Sequence, residues 1–388
     1  MRIGIDARFL THPQVGGFKT YTQNLINALS QLKDNNDYVI YIDRYSSEGT
    51  LPQSINFTYR VVKSTFPVIG MPVREQIGLS RTIANDRLDM VHFLCNTAPI
   101  GLSMRFVVTL HDTIQVTHQQ PFRLMQGLGY QKRWAMMVYS KWAITKSVKS
   151  ARRVITVSHY EKDNIAEVLG IGLQKINVTH LAPNPVFKMS SPETRRIWRD
   201  EILNKFSIGR KFILGVGYES RKNIPILINA FALLANKYPS LDLVVVVVEA
   251  QSRAIFQQLV YEKHLRERTR FLPALSPDEL VMFYNLAEVF VYPSERESFG
   301  LPPLEALACG TPTIAMNMSS LPEILQGGAL LVEGKDPQIW TNAIDQVLTQ
   351  KNLRDNLVTR GLERALEFTW QHCAMETIKV YEAALEEP

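Results

Sequence analysis

Two glutamates separated by seven residues form the pattern in the sequence with the clearest chemical meaning. Glu297 and Glu305 enclose the string Ser-Phe-Gly-Leu-Pro-Pro-Leu. Pro302 and Pro303 suit the first positions of a helix, because their missing N–H groups are not needed there. The free backbone N–H groups of a helix start bind phosphate oxygens. With Glu297 in the loop and Glu305 in the first helical turn, one carboxylate could bind sugar hydroxyls and the other ribose hydroxyls, on the two sides of a diphosphate.

Each carboxylate taken alone has a simpler interpretation. Glu305 would then complement the helix dipole, and Glu297 would be a solvated loop charge. The whole string favours a ligand site, because an apolar strand ends at Pro293 and Gly310 supplies a helix stop before the next strand. In an open α/β sheet, such a loop lies at the carboxyl end of a strand, where ligands bind.

The elements around this loop alternate between short apolar runs and stretches with helical spacing. The apolar runs are continuous, which is typical of parallel strands covered on both faces. Two such series predict an α/β chain with two Rossmann-like, doubly wound parallel-sheet domains. The boundary is expected at Ala182-Pro-Asn-Pro185, because proline lacks a donor and restricts its predecessor. The predicted strands are 2–7, 38–43, 89–94, 106–111, 154–158, 212–217, 243–248, 270–272, 289–292, 313–315 and 330–332, and the predicted helices include 18–33, 74–85, 122–150, 160–169, 224–237, 252–264, 277–286, 337–349 and 371–385.

The string from Glu297 to Glu305 closely resembles the signature of the retaining GT-B glycosyltransferases of family 4. The similarity extends over nearly the whole chain. The other matching segments are Gly16-Gly17-Phe18-Lys19-Thr20-Tyr21, Leu110-His111-Asp112, Gly217-Tyr-Glu-Ser-Arg221-Lys222-Asn223, Leu280-x3-Tyr284-x2-Ala287, and Trp370 ahead of an amphipathic C-terminal helix.

The resemblance implies roles for the residues of the second half. Glu297 would bind hydroxyls of the donor sugar, and Glu305 would bind the ribose. Arg221 and Lys222 would neutralise the leaving diphosphate, where negative charge grows as the glycosidic bond breaks. The backbone of the loop would lie over the sugar and the diphosphate, which adds four donor-binding residues: Ser298, Phe299, Gly300 and Leu301.

In the first half, the resemblance implies that His111 approaches the donor sugar near the reacting centre. Gly17 would contact the donor, and Gly16 and Lys19 would lie on the acceptor side, with the glycine pair admitting close approach. The family's usual mechanism is front-face attack by the acceptor hydroxyl, with the leaving phosphate accepting the proton. Glu297 is therefore interpreted as a positioning and electrostatic residue.

The implied architecture is GT-B, with two domains facing a cleft. An acceptor-side domain would span 1–185, a nucleotide-sugar-binding domain 186–368, and the helix within 369–388 would return to the first domain. The implied activity is transfer of a hexose-type sugar from a nucleotide sugar to a hydroxyl of a saccharide or lipid-linked acceptor, without metal or cofactor. A nucleotide-sugar epimerase on the same fold and a catalytically silent nucleotide-sugar-binding subunit are the alternatives.

Other motifs carry weaker signals. Gly215-x-Gly217 follows a strand but lacks the third glycine of a dinucleotide fingerprint. His111, Asp112 and His118 match no familiar metal-ligand spacing, and the sequence contains no Asp-x-Asp. His92, near the end of an apolar strand, is more typical of a satisfied core residue than of a ligand contact.

The charge of +6 is unevenly distributed. Residues 1–185 contain 21 Lys/Arg against 12 Asp/Glu, and no acidic residue occurs between Thr113 and Tyr160. The basic and aromatic stretch 123–153 predicts contact with an anionic membrane surface, a solvated basic face or an acceptor-binding face. No nucleic-acid-binding motif accompanies the charge. Three widely spaced cysteines and the absence of a secretory signal predict a cytoplasmic protein, with a peripheral location at the inner face of the membrane as the alternative that the basic stretch leaves open.

Overall fold

Two parallel sheets organise the chain, one in each of two structural units. The computed structural model describes residues 1–11, 16–44, 51–63, 70–117, 128–209, 211–217 and 220–386. The first unit comprises Met1–Leu181 and Trp370–Pro388, and the second comprises Ala182–Thr369.

The sheet of the first unit has seven parallel strands in the order β3-β2-β1-β4-β5-β6-β7. The interior strand Arg2–Asp6 carries the side chains of Ile3 and Ile5, which are fully buried. The strand order reverses between β1 and β4, so the loops after these two strands diverge and leave a crevice at the carboxyl edge. The strands are β1 (Arg2–Asp6), β2 (Asp37–Ile42), β3 (Phe57–Val61), β4 (Met90–Phe93), β5 (Phe106–Thr109), β6 (Arg153–Thr156) and β7 (Ile176–Val178).

The helices of the first unit cover this sheet. A π-helical stretch, Arg74–Leu79, continues directly into an α-helix. The helices are α1 (Arg8–Thr11), α2 (Gly17–Gln31), α3 (Gly70–Val73), α4 (Ser80–Ala84), α5 (Ile114–Thr117), α6 (Leu128–Ser150) and α7 (His159–Leu169).

The sheet of the second unit has six parallel strands in the order β10-β9-β8-β11-β12-β13. Its order reverses between β8 and β11, so the loops after those strands meet at a topological switch point. The strands are β8 (Lys211–Val216), β9 (Leu241–Val246), β10 (Thr269–Leu272), β11 (Val289–Tyr292), β12 (Thr313–Met316) and β13 (Leu330–Val332). The helices are α8 (Pro192–Phe206), α9 (Ile224–Leu234), α10 (Ala250–Glu262), α11 (Pro277–Leu286), α12 (Leu301–Ala308), α13 (Leu321–Leu325), α14 (Pro337–Thr349) and α15 (Lys351–Leu366).

The last helix, α16 (Trp370–Glu386), belongs to the first unit. It packs against α2, β5 and β6. Its buried Tyr381 hydroxyl lies 2.8 Å from Nδ1 of His92 on β4, and His92 Nε2 lies 2.7 Å from the Thr109 hydroxyl. Burial lowers the pKa of His92 to about 3, so the ring is neutral and both nitrogens are satisfied. His92 is thus the core residue that its strand position favours.

The predicted fold class is confirmed, but several elements were missed. Strand β3 is only partly buried and α8 is largely exposed and charged, so neither shows a clear apolar period. The predicted strand 243–248 is displaced by two residues, since β9 begins at Leu241 and ends at Val246. The prediction missed the start of the strand because β9 contains a charged residue. That charge, Asp242, is paired with Arg268 Nε at 3.1 Å inside the unit. Within the predicted helix 122–150, residues 122–127 lie outside the described residues, and α6 begins at Leu128.

No helix within the described ranges combines the length and apolarity needed to cross a bilayer. The three cysteines, Cys95, Cys309 and Cys373, are all free and buried.

Candidate active site

The loop between β11 and α12 carries the two glutamates. Gly300 ends this loop in the left-handed region, with φ 101°, and a Cβ there would lie 2.7 Å from the Leu321 side chain. Glycine is required because other residues are strained in this conformation and no space is left for a side chain. The helix then begins at Leu301, so Glu305 is its fifth residue. The placement of Glu305 in the first turn was therefore wrong.

Glu297 is the centre of a dense group of polar contacts in the second unit. Its Oε1 accepts hydrogen bonds from Tyr292 Oη at 2.9 Å, from Lys222 Nζ at 2.5 Å and from the Ser294 hydroxyl. Its Oε2 lies 3.5 Å from Nη1 of Arg221. The carboxylate is 7% exposed, so it is almost fully removed from bulk water.

The charges of this group decide its protonation. Burial opposes ionisation of Glu297, but Lys222, Arg221 and the Ser294 hydroxyl outweigh it and hold the pKa below the ordinary value. Burial and the adjacent carboxylate raise the pKa of Tyr292 well above its ordinary value, so its hydroxyl keeps its proton. Glu297 is therefore an anion held by two cations and two hydroxyl donors.

The segment after β8 positions the two cations. Gly217 turns with φ 154°, and Ser220–Lys222 form a short 3-10 turn before Asn223 begins α9 in the left-handed region. The Arg221 carbonyl accepts from the Glu295 N–H at 3.0 Å, and Asn223 donates to the Pro293 carbonyl at 3.1 Å. The loops of the switch point are thus bonded to each other.

Two serines that the sequence analysis did not single out lie in the segment after β12 and form hydrogen bonds with the loop that carries Glu297. The Ser319 hydroxyl accepts the Glu297 N–H at 3.0 Å. The Ser320 hydroxyl lies 3.0 Å from the carbonyls of Glu297 and Phe299. The available signal was their position just after an apolar strand, at the same sheet edge as the glutamates. Tyr292 and Ser294 lie just before the recognised string and were given no role.

The remaining donor-side candidates lie around this loop. The Phe299 ring is buried and packs edge-on against the Phe368 ring, with 5.7 Å between the ring centroids. Only the backbone of Phe299 is therefore available to a ligand. Ser298 and Leu301 are partly exposed at the helix start. Since Pro302 and Pro303 have no N–H, the first intrahelical bond of α12 is the one from Leu304 N to Gly300 O at 3.3 Å.

Glu305 has a different environment from Glu297. Its Oε2 accepts a hydrogen bond from Tyr284 Oη at 3.4 Å. Burial raises the pKa of Glu305 to about 7, and the hydrogen bond from Tyr284 opposes that rise without cancelling it. The two glutamates of one signature therefore differ in charge at neutral pH, because only Glu297 has cationic partners.

His111 lies in the first unit, directly after β5. Its Nε2 is 3.0 Å from the Leu94 carbonyl, which can only accept, so Nε2 carries the ring proton. Burial lowers the pKa of His111 to about 4. The neutral ring is packed edge-on against Tyr21 and Phe18, at 4.6 and 5.1 Å between centroids. Its Nδ1 is thus a hydrogen-bond acceptor.

The glycine pair of the first unit stands at the start of α2. Gly16 has φ 141° and is exposed, and apart from its chain neighbours no described residue has an atom within 4 Å of the position that a Cβ would take. Gly17 is exposed and Lys19 is partly buried in the first turn. Of the three residues considered for a metal, His118 lies outside the described residues.

A buried ion cluster at the carboxyl end of β1 was missed. Arg8 Nε donates to Asp6 at 2.8 Å, and Arg8 Nη1 lies 2.7 Å from Glu75. Arg74 adds a contact of 3.3 Å to Asp6, and the Tyr139 hydroxyl from α6 donates to Glu75 at 3.1 Å. No local pattern indicates this cluster, because its members come from three separate segments.

Solved structures define the fold class of this chain. WaaG, a glycosyltransferase involved in lipopolysaccharide biosynthesis, superposes with a TM-score of 0.71 over 98% of this chain and 99% of its own, at 16% identity. HepE of Anabaena, solved in complex with UDP-glucose, has a TM-score of 0.69 over 98% and 99%, at 14% identity. The chain has the GT-B fold of these proteins.

The family follows from models that match both halves. The model described as Glycosyltransferase Family 4 matches residues 15–185, and the model described as Glycosyl transferases group 1 matches residues 199–364. This chain belongs to the group 1 glycosyltransferases, as the resemblance implied.

Curated relatives match part of their own length. The O-antigen chain mannosyltransferase B of Escherichia coli is 31% identical over 63% of this chain and 64% of its own. The D-inositol 3-phosphate glycosyltransferase of Corynebacterium jeikeium is 36% identical over 42% and 40%. The chain thus spans less than two thirds of these relatives.

Proposed function

We propose that the protein is a retaining glycosyltransferase that moves a hexose-type sugar from a nucleotide sugar to a hydroxyl of a saccharide or lipid-linked acceptor. The observation that carries the proposal is the cluster of Arg221, Lys222 and Glu297 at a switch point of a GT-B chain. Mannosyltransferases among the relatives support a hexose donor and a saccharide acceptor.

The cluster supports a specific division of labour. During transfer, the bond between the sugar's anomeric carbon and the diphosphate oxygen breaks, and a bond to the acceptor oxygen forms on the same face. The acceptor proton passes to the leaving phosphate. Arg221 and Lys222 stabilise the negative charge that grows on the diphosphate, which is the point where preorganised charge lowers the barrier most. We include no metal or cofactor, since these two cations supply the positive charge.

Glu297 orients the donor sugar through a hydroxyl, and Glu305 binds the ribose. The amides and carbonyls from Ser298 to Leu301 cover the sugar and the diphosphate. In the first unit, Gly17 contacts the donor, while Gly16 and Lys19 contact the acceptor. His111 accepts a hydrogen bond from a sugar hydroxyl at Nδ1. A neutral acceptor suits this role, because the pKa near 4 excludes His111 as a proton donor at neutral pH.

A thermal-shift screen against UDP-, GDP- and ADP-sugars tests donor binding first. A ligand present at about 100 times its Kd stabilises the protein by roughly 2.7 kcal/mol, which is enough to rank donors. If no nucleotide sugar raises the melting temperature, nucleotide-sugar binding is refuted.

Release of the nucleotide from the best donor then tests transfer. We expect release to require an acceptor, such as an O-antigen-type mannan oligosaccharide, and to be lost in an Arg221→Ala, Glu297→Ala double variant. Release without transfer to any acceptor, accompanied by a changed sugar, would identify an epimerase. Tight binding without either reaction would identify a silent binding subunit, and full turnover by the double variant would refute the site.

The exposed face of α6 supports a second part of the proposal, contact with an anionic membrane surface. Trp134, Val138 and Trp142 recur every four residues and are 53%, 45% and 48% exposed. Exposed lysines lie on the same helix at positions 141 and 149. Aromatic rings at the headgroup level and lysines near anionic lipid are the features of an interfacial helix. Arg123 lies outside the described residues, and within α6 the side chains are described from Trp134 onward.

Co-sedimentation with liposomes tests this contact. We expect binding to vesicles that contain phosphatidylglycerol, loss of binding in pure phosphatidylcholine, and loss in a Trp134→Ser, Trp142→Ser variant that keeps donor binding. A Trp198→Ser variant is the control, because this partly exposed tryptophan lies on α8 in the second unit. Binding that is indifferent to anionic lipid would contradict the proposal and leave the acceptor as the ligand of the basic face.

A further inference from the structure

We infer that Tyr292 is a positioning residue of the donor site, whose hydroxyl holds Oε1 of Glu297 so that Oε2 faces the ligand. The inference rests on the proposed function, which it deepens by assigning the two carboxylate oxygens different tasks. It also adds a selection rule, since Oε2 takes only donors that offer a hydroxyl proton at that position.

The two oxygens of Glu297 have unequal surroundings. Oε1 is surrounded by three donors, which are Tyr292 at 2.9 Å, Lys222 at 2.5 Å and the Ser294 hydroxyl. Oε2 lies 3.5 Å from Nη1 of Arg221, and within the described part of the chain no hydrogen bond reaches it. A carboxylate oxygen has about two acceptor positions, so Oε1 is saturated while Oε2 retains its capacity.

The ring of Tyr292 has little freedom, which fixes the position of its hydroxyl. Tyr292 is 1% exposed and stacks on the Phe290 ring at 5.7 Å. Lys222 Nζ lies 4.9 Å from the ring centre and also donates to Oη. The hydroxyl thus accepts a hydrogen bond from Lys222 and donates one to the Glu297 carboxylate, so it bridges the cation and the anion.

This bridge has a chemical consequence for the ligand. Once a bound donor excludes water from Oε2, a carboxylate oxygen left without a hydrogen bond costs free energy, and a substrate hydroxyl removes that cost. Sites of this kind discriminate strongly against analogues that lack the hydroxyl, because the protein group is then left unpaired. The donor class is therefore a sugar with a free hydroxyl opposite Oε2, and deoxy sugars lacking it are rejected.

Tyr292→Phe is the matched test, since it removes only the hydroxyl and keeps the stacked ring. With whichever of UDP-glucose, GDP-mannose or ADP-glucose the wild type turns over, we expect kcat to fall roughly 10- to 100-fold, the range of one hydrogen bond to a charged group. The donor KM should change less than about threefold, because the loss is in orientation and not in diphosphate binding. Tyr238→Phe is the control, since its hydroxyl donates to Asp345 elsewhere in the second unit.

A double-mutant cycle with Glu297→Gln separates positioning from a general structural role. If Tyr292 acts through Glu297, Tyr292→Phe should have less than about a threefold effect in the Glu297→Gln background. An equal loss in both backgrounds, or unchanged kcat in the wild-type background, overturns the inference. If Tyr292→Phe does not fold, Ser294→Ala removes a second donor to Oε1 and must lower kcat in the same way, or the inference fails.

A readout that needs no turnover separates this inference from the proposed function. Carbon-13 titration of Glu297 in the unliganded protein should show a higher pKa in Tyr292→Phe than in the wild type, because one donor to the carboxylate is lost. An unchanged pKa overturns the inference even if the enzyme is active. A wild type that releases no nucleotide from any donor refutes the proposed function, whatever the titration shows.

Discussion

The two sheets carry charged clusters at their carboxyl edges, and the clusters differ in how open they are. In the first unit, Arg8 and Arg74 expose 5% and 0% of their side chains and are enclosed with Asp6 and Glu75. In the second unit, Arg221 and Lys222 expose 25% and 13%. The same residue chemistry thus forms a closed cluster in one unit and a partly open one in the other.

The difference teaches what each cluster can do. A closed ion cluster has no surface left for a ligand, so its interactions contribute to the stability of the folded protein. Removing one partner there leaves an uncompensated buried charge, which costs far more than the pair contributes. Cations that remain partly exposed keep the capacity to bind a phosphate. We therefore expect substitutions in the first cluster to change stability, and those in the second to change activity.

Arg8→Met has the largest expected effect. It leaves Glu75 with uncharged donors alone and Asp6 with a single arginine, so the free energy of unfolding should fall by about 3–5 kcal/mol. Urea denaturation measures this change in the free energy of unfolding.

Lys222→Met is the counterpart in the open cluster. Because Arg221 and two hydroxyls still hold Glu297, stability should fall by less than about 2 kcal/mol while kcat falls by roughly 10²- to 10³-fold. Equal stability losses would contradict the contrast.

Gly217→Ala has an intermediate expected effect. A Cβ at this position would lie 2.7 Å from Lys222 Cβ, close to the backbone where the side chain cannot swing away. The lysine must move, so we expect nucleotide release to slow by about tenfold and stability to fall by about 2 kcal/mol. Gly334→Ala is the control, with φ 88° and its nearest neighbour at 3.7 Å. If both variants keep full activity, the position of Lys222 does not depend on this close approach.

Glu305→Gln has the smallest expected effect, and it depends on pH. The folded pKa near 7 lies above the ordinary value of 4.5, so the stability that the neutral acid provides is present below pH 4.5 and is lost as pH rises through 7. The glutamine variant should match the wild type at pH 4 and exceed its stability by about 1–2 kcal/mol at pH 8. Melting temperatures at the two pH values measure it, with exposed Glu262→Gln as the control. A pH-independent difference would contradict the assigned pKa.

Sequence patterns predicted the second cluster far better than the first. Residues 292–305 form one contiguous string, and Arg221-Lys222 follows a strand directly, so strand ends and helix starts bring them to one edge. The cluster of Asp6, Arg8 and Glu75 has no such pattern, because Glu75 is distant along the chain from the other two and each residue is an ordinary charge on its own.

The sequence by itself determined the alternation of strands and helices, the start of α12 near its two prolines, and the residue types of the candidate site. These follow from missing N–H groups, allowed φ values and apolar period, which act within a few residues. Tertiary structure decided that Tyr292 and Ser320 support Glu297, that burial raises the pKa of Glu305 to about 7, and that His111 donates from Nε2. Hydrogen bonds and desolvation depend on neighbours in space, which no local pattern specifies.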